Sequence, residues 1–180
     1  MKNITSNEFV CIAKGTNILL KNGKTQEIEK IILGTEIKNF NVNHNTVEIA
    51  CVEKIAISIH SILITVFFSN DTLIKSTQDH PYWVVGKGWC SLDTTSTLEK
   101  YNLNVNKLII GDKCLYFDGE KLENVIIKNI VTEIGKFEMY NISGGVNRCF
   151  FANGILVHDE NLMELDLSDH EVEFQIAESI

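Results

Sequence analysis

A thiol at one end of the chain, an imidazole near its middle and an imidazole close to its other end are the groups able to do chemistry. Cys11 opens the stretch Cys-Ile-Ala-Lys-Gly-Thr-Asn-Ile, Ser-Thr-Gln-Asp-His-Pro spans 76–81, and Phe-Phe-Ala-Asn-Gly-Ile-Leu-Val-His closes at His158. The Cys11 thiol can attack the carbonyl of Val10, the residue before it, through a five-membered ring. A thioester then replaces the Val10–Cys11 amide. The step is uphill for an ordinary amide. Distortion of the backbone supplies roughly 1–3 kcal/mol per strained feature, and thiolate formation supplies the nucleophile. The departing nitrogen of Cys11 needs a proton, which a histidine near its ordinary pKa, His80, would donate. Thr77 would bond the Val10 carbonyl or hold the scissile peptide twisted, and Asp79 would orient the imidazole or activate the thiol. Pro81, the one proline of the chain, biases His80 toward an extended backbone. His158 would polarise the carbonyl of the peptide that follows it, at Asp159 and Glu160.

Each stretch alone has a plainer reading. A free cysteine is most often a small buried core residue. Thr-x-x-His fits a hairpin corner with a capping threonine, and a histidine at a strand end commonly meets solvent.

The elements that must position these groups read as β. The run Val47 to Ser69 is rich in Val, Ile, Thr and Phe, with Ile55, Ile57 and Ile59 on one face of an alternation. Asn22-Gly23, Asn70-Asp71 and Asp118-Gly119 are turn signals between apolar runs. Val125 to Ile134 reads as a strand. Gly144-Gly145 separates a strand at Met139 to Ser143 from a last strand around Cys149 to Val157, with Asn153-Gly154 as a turn inside it. One short helix is expected near Thr94 to Tyr101. Many short strands with frequent turns predict an all-β barrel or sandwich-like body. The tail admits three readings: a helix capped at Ser168 with Val172, Ile176 and Ile180 on one face, a strand through Val172, Phe174 and Ile176, or loose flanking chain.

At 180 residues and 44% apolar content, one domain with a sizeable core is expected. The net charge of −8 is uneven. Residues 159–180 hold eight acids and neither Lys nor Arg; the 24 acids of the whole chain less these eight leave 16 against 16 bases. A neutral body with an acidic tail lacks the basic stripe that neutralises phosphate, so nucleic acid is not an expected partner. No apolar run approaches the roughly 18 residues of a membrane span, so no membrane partner is expected either, and residues 1–10 carry no signal-peptide pattern. The five cysteines, at 11, 51, 90, 114 and 149, are odd in number, widely spaced and without Cys-x-x-Cys. This favours reduced thiols over a disulfide framework or zinc knuckle, and with them a cytoplasmic or otherwise reducing setting, with a secreted parent protein left open.

Taken together, the motifs resemble the Hint domain shared by inteins, bacterial intein-like domains and the Hedgehog autoprocessing domain, over about residues 11 to 159. Cys11 with Gly15-Thr16 resembles the amino-terminal splicing motif, and Thr77-Gln78-Asp79-His80-Pro81 the motif holding its Thr and His. Gly86-Lys87-Gly88-Trp89 and Gly111-Asp112 are similar to the segment that follows in bacterial intein-like domains. Tyr140-Asn141-Ile142, then Phe150 to His158, resemble the carboxy-terminal motifs. The resemblance implies a horseshoe-shaped all-β fold of two pseudo-symmetric halves, with Cys11, Thr77, His80 and His158 around one cleft. It implies an N-to-S acyl shift that needs no cofactor or metal, performed by a monomer on its own flanking polypeptide. Water, a thiol or another small nucleophile would accept the acyl group. Residues 1–10 would be the upstream flank, 11–159 the domain, and 160–180 the acidic downstream flank.

Two departures bear on the outcome. Splicing members of the family end in His-Asn followed by Cys, Ser or Thr, whereas this chain has His158-Asp159 and then Glu160. Glu160 cannot receive an acyl group, and Asp159 lacks the amide with which Asn cyclises. Many inteins also have a His near the position of Arg148 and an Asp where Asn141 stands. Cys149, in the same region, is a conceivable internal acceptor or redox partner of Cys11. The expectation is therefore amino-terminal processing without standard splicing. The competing readings are an inert Hint-fold linker or interaction module and a Cys/His hydrolase acting in trans.

Overall fold

The computed structural model describes residues 9–159 and 173–176. In chain order the elements are β1 (Ile12–Ala13), β2 (Asn17–Leu19), β3 (Thr25–Glu27), β4 (Glu36–Asn41), β5 (Thr46–Cys51), β6 (Lys54–Phe68), β7 (Leu73–Ser76), β8 (Tyr82–Val84), β9 (Gly88–Ser91), α1 (Thr94–Tyr101), β10 (Asn106–Lys107), β11 (Lys113–Phe117), β12 (Leu122–Ser143), β13 (Cys149–Ala152), β14 (Ile155–His158) and β15 (Glu173–Ile176). Thirteen strands form one sheet and β4–β5 form a separate hairpin.

The sheet is organised on β6 and β12, which pair antiparallel from Phe68↔Ile127 to Lys54↔Ser143. At 15 and 22 residues they far exceed the usual five or six. Register shifts at Ile127/Asn129 and Ile134/Phe137 let the ribbon bend without ending. The bend divides the labour of β12. Its early residues pair with β11, as in Lys113↔Ile126, while its late residues pair with β1, as in Ile12↔Tyr140. β1 is also joined to β7 through Ile12↔Ser76, so the backbone beside Cys11 is fixed on both sides.

The β-rich reading holds, and its segmentation changes in two places. The run from Val47 breaks at Val52-Glu53 into the end of β5 and the start of β6. The strands read at Val125–Ile134 and Met139–Ser143 are one element, β12, which runs on through the register shift between Ile134 and Phe137, where Gly135 lies. The helix lies at Thr94–Tyr101, capped by Asp93, which accepts from the Ser96 amide at 3.1 Å, and closed by Asn102 in the left-handed conformation at φ 52°. In the tail, Glu173–Ile176 is a strand paired antiparallel with Lys54–Ile57; the helical reading from Ser168 otherwise lies outside the described residues.

Most of the apolar residues form one core that includes Ile12, Ile18, Ile64, Ile74, Tyr82, Phe150 and Val157. A smaller cluster of Phe9, Cys11, Ala13, Ala56, Leu63 and Met139 surrounds the thiol. A third holds Leu19, Phe40, Leu115, Phe117, Cys149, Phe151 and Leu156. All five cysteines are free thiols, and only Cys51 is exposed. Among the described residues no helix is long and apolar enough to cross a membrane.

Gly144, just past β12, packs against the chain leaving β5. A Cβ there would stand 1.9 Å from the Cys51 carbonyl oxygen. Gly144→Ala must therefore push backbone apart, and is expected to cost about 1–3 kcal/mol of stability, read as a lowered denaturation midpoint.

Candidate functional site

Cys11 has no exposed surface and is pinned by Thr77 at both of its backbone groups. The Cys11 amide donates to Thr77 Oγ1 at 3.1 Å, and the Thr77 amide donates to the Cys11 carbonyl at 3.0 Å. The threonine hydroxyl was expected on the Val10 carbonyl or as a hold on a twisted scissile peptide. It sits on the nitrogen of the Val10–Cys11 bond, the atom that would become the leaving amine. Phe9 and Val10 are buried on the other side of that bond, so the peptide is held from both ends.

The Thr77–His80 turn closes through the His80 amide donating to the Thr77 carbonyl at 3.3 Å. Helix α1 fastens this turn. The Thr97 hydroxyl donates to the Asp79 carbonyl at 2.9 Å, and the Asp93 amide donates to the Gln78 carbonyl at 2.9 Å. Asp79 belongs to this fastening. Its Oδ2 accepts from Lys100 Nζ at 3.3 Å and from the Tyr101 hydroxyl at 3.0 Å. That corrects the expectation that Asp79 orients the His80 imidazole or activates the thiol: the carboxylate faces α1.

His80 is buried. Its ring faces the backbone of Cys11 and of His158, whose pull on a proton partly offsets the desolvation. The balance still carries its pKa down to about 3, chiefly through burial, with His158 adding to the fall. The expected near-neutral donor is thus a neutral imidazole in this state. Neither ring nitrogen reaches a partner in hydrogen-bond geometry, and both side-chain polar atoms of Asn141 are likewise unpartnered among the described residues. Buried polar groups left unpaired cost free energy, and each one in a native chain calls for a reason, a catalytic role being one.

His158 reaches the same place from β14. Its amide donates to the Pro81 carbonyl at 3.0 Å, tying the last strand to the end of the Thr77–His80 turn. The ring stands edge-on to Trp89, centroids 4.8 Å apart, and faces the backbone of Asp159. Burial, then the Arg148 charge, lower its pKa to about 4. The structure thus brings Cys11, Thr77, His80 and His158 together.

Asp159 is buried and fully engaged. Its Oδ1 accepts from Arg148 Nε at 2.6 Å and its Oδ2 from the Gly144 amide at 3.0 Å. Burial raises its pKa to about 6, with Arg148 opposing. Glu160 lies outside the described residues. Cys149 belongs to a different apolar cluster from Cys11; its Sγ donates to the Phe40 carbonyl at 3.2 Å, and burial pushes it up to about 12. The idea of Cys149 as acceptor or redox partner does not fit that placement.

Two neighbours of the thiol escaped sequence reasoning. Cys11 Sγ lies 3.3 Å from Ser58 Oγ, and Ser58 Oγ lies 2.8 Å from His60 Nε2. A small cavity of about 130 Å³ opens beside them, lined by His60, Thr77, Asp79 and Lys100 among others. Among the described residues no three His, Cys, Asp or Glu side chains are grouped to hold a metal ion.

A family model described as the Ataxin-1 and HBP1 module (AXH) matches residues 12–118, more than half of the chain, stopping short of Cys11 and of His158. No curated protein matches it. Solved structures do. The bacterial intein-like domain from Clostridium thermocellum is 23% identical with a TM-score of 0.67, covering 83% of this chain and 98% of its own. A DnaB intein from Synechocystis sp. PCC 6803 is 20% identical with a TM-score of 0.71, over 84% and 99%. The gp41-1 intein is 17% identical with a TM-score of 0.62, over 83% and 98%. The fold is therefore the all-β Hint fold of inteins and intein-like domains.

Proposed function

The chain belongs to the Ataxin-1 and HBP1 module (AXH) family and has the Hint fold, and on that footing we propose that it processes its own backbone by an N-to-S acyl shift at Val10–Cys11. The observation that carries this reading is the clamp on the Cys11 peptide. Thr77 holds the Cys11 nitrogen, one side of the scissile bond, and the Cys11 carbonyl just beyond it, and the imidazole of His80 faces the same backbone. The thiol adds to the Val10 carbonyl carbon, the C–N bond breaks, and the Cys11 nitrogen takes a proton. The product is a thioester between Val10 and Cys11 Sγ with a free amine at Cys11.

Thr77 fixes the orientation of the nitrogen before attack, so ordering entropy is met by the fold rather than at the reaction. His80 starts neutral; it takes up a proton while the tetrahedral intermediate stands and passes it to the Cys11 nitrogen as the C–N bond breaks. Water or a small thiol, entering by the cavity beside Thr77, resolves the thioester and releases residues 1–10. Standard splicing is not expected, because Asp159 is held by Arg148 and Gly144 and Glu160 offers neither thiol nor hydroxyl.

Intact mass at neutral pH, with and without dithiothreitol, tests the reading. The expected outcome is a species beginning at Cys11 beside a released 1–10 fragment, formed faster with thiol. A mass that stays at the full chain in both conditions would favour the inert-module reading.

A further inference from the structure

We infer that Ser58 and His60 form a proton relay that turns the Cys11 thiol into the attacking thiolate. The inference rests on the acyl-shift reading above and assigns a role to two residues of β6 outside the Thr77–His80 and His158 motifs. The contacts run in series. Cys11 Sγ meets Ser58 Oγ at 3.3 Å, and Ser58 Oγ meets His60 Nε2 at 2.8 Å. Both serine and histidine are about 4% exposed, so water does not compete for the two contacts. Successive residues of a strand point to opposite faces, so Ser58 and His60 share one face, and that face is turned inward. On the opposite face Ile59 is 42% exposed. An Ile-rich strand has thus buried its polar face beside a thiol and left an isoleucine in solvent. Burial of apolar area alone favours the reverse.

The environment of His60 keeps the ring unprotonated and so open to a proton, while burial weakens it as a base. Burial is the main cause that lowers its pKa, to about 4; the Asp79 charge opposes this and the Lys100 charge adds to it. Phe137 of β12 stands opposite His60 in the ladder and is apolar. The imidazole is therefore neutral at neutral pH, and with its hydrogen on Nδ1 it offers Nε2 as acceptor. Asp79 and Lys100 line the cavity into which His60 opens.

The step balances without a co-reactant other than water. The Sγ proton moves to Ser58 Oγ while the Ser58 hydroxyl proton moves to His60 Nε2. The sulfur lone pair forms the bond to the Val10 carbonyl carbon. The C–N bond breaks with its electron pair on the Cys11 nitrogen, which is protonated. His60 returns one proton to water in the cavity, so one proton leaves and one arrives. Ser58 meets the reacting sulfur and is a catalytic residue; His60 acts through Ser58 and is a positioning residue.

The test follows thiol-induced release of residues 1–10 from the full chain between pH 6 and 10, in the wild type, Ser58→Ala, Ser58→Thr and His60→Gln. Ser58→Ala and His60→Gln are expected to release about 100-fold more slowly at pH 7, the scale of a lost proton-transfer group. Their deficit relative to the wild type should shrink toward high pH, where hydroxide ionises the thiol directly. Ser58→Thr, which keeps the hydroxyl, should stay within about tenfold of the wild type. A deficit that is the same at every pH, or no deficit, overturns the relay and leaves the acyl shift standing. A wild-type chain that releases nothing overturns both. Should the variants not fold, ¹⁵N NMR of His60 in the intact wild-type chain decides: a hydrogen on Nδ1 supports the relay, and a hydrogen fixed on Nε2 overturns it.

Discussion

Cys11→Ala should leave the chain at its full mass under dithiothreitol or hydroxylamine, with release of residues 1–10 reduced by at least about 10³-fold. The size of the effect follows from what the alanine removes. Sγ is the only atom placed to attack the Val10 carbonyl through a ring with its own residue, and no other thiol can take its place. Cys149 is confined to the cluster with Phe40 and Phe151, Cys90 and Cys114 are buried in the main core, and Cys51 is exposed at the end of β5. Cys149→Ala is the control: it deletes an equally buried sulfur and should leave the release rate unchanged. The result separates the proposed mechanism from a hydrolase acting in trans, because a trans enzyme would lose activity on added peptides, whereas the acyl shift has none to lose. A Cys11→Ala chain that still sheds residues 1–10 would end the acyl-shift reading.

The second large effect is expected at the other end. Asp159→Asn should produce a cut between residues 159 and 160 that the wild type makes slowly at neutral pH. The wild-type carboxylate is held by Arg148 Nε and the Gly144 amide. It has no nitrogen with which to cyclise, and attack through oxygen would have to pass through a strained anhydride. An asparagine supplies an amide nitrogen that can attack its own backbone carbonyl and expel the nitrogen of Glu160, with His158 facing that backbone. The exchange leaves Arg148 without its ion pair, so a stability loss of about 1–3 kcal/mol should accompany the gain of cleavage. The wild type can be tested by pH alone. With a pKa of about 6, the protonated fraction of Asp159 rises from about a tenth at pH 7 to about nine tenths at pH 5. Any cut after Asp159 should quicken about tenfold across that span. The same shift sets a sign for stability. The folded carboxyl, raised from 3.8, holds its proton more tightly than the unfolded one, so this group's contribution rises as pH falls from 7 toward 5. Mass spectra at pH 5, 7 and 8 and a denaturation series at the same values read both effects.

The parts of this molecule that could be read from the sequence are those written in local signals. Asn-Gly, Asn-Asp and Asp-Gly pairs marked the hairpins, and the short helix lay between Asp93, a good cap, and Asn102. Cys11, Thr77, His80 and His158 were legible because each sits in a distinctive neighbourhood of residues. What stayed hidden depended on which face of a strand is turned inward. Ile55, Ile57 and Ile59 drew attention as the apolar set, yet the intervening Ala56, Ser58 and His60 face the thiol. A small residue, a hydroxyl and an imidazole at every second position of an Ile-rich run were the available signal. The partner of Asp79 was hidden for another reason: Lys100 and Tyr101 reach it only because α1 folds back over the turn 21 and 22 residues earlier. Arg148 drew notice in place of a histidine, while its bond to Asp159 depends on β13 and β14 pairing across Cys149↔His158.

The pairing of β15 with Lys54–Ile57 gives breakage and departure different meanings at the two ends of the domain. A segment cut free at residue 160 would still be laced into the sheet by backbone hydrogen bonds, one position from Ser58. Its covalent bond could be gone while gel filtration showed a single particle, and only a denaturant would reveal two polypeptides. Such a nicked complex would also run in reverse: a separately made 160–180 peptide should dock as a strand onto a chain that ends at Asp159. The acidic tail would then be less a remnant of the flank than a detachable edge of the fold.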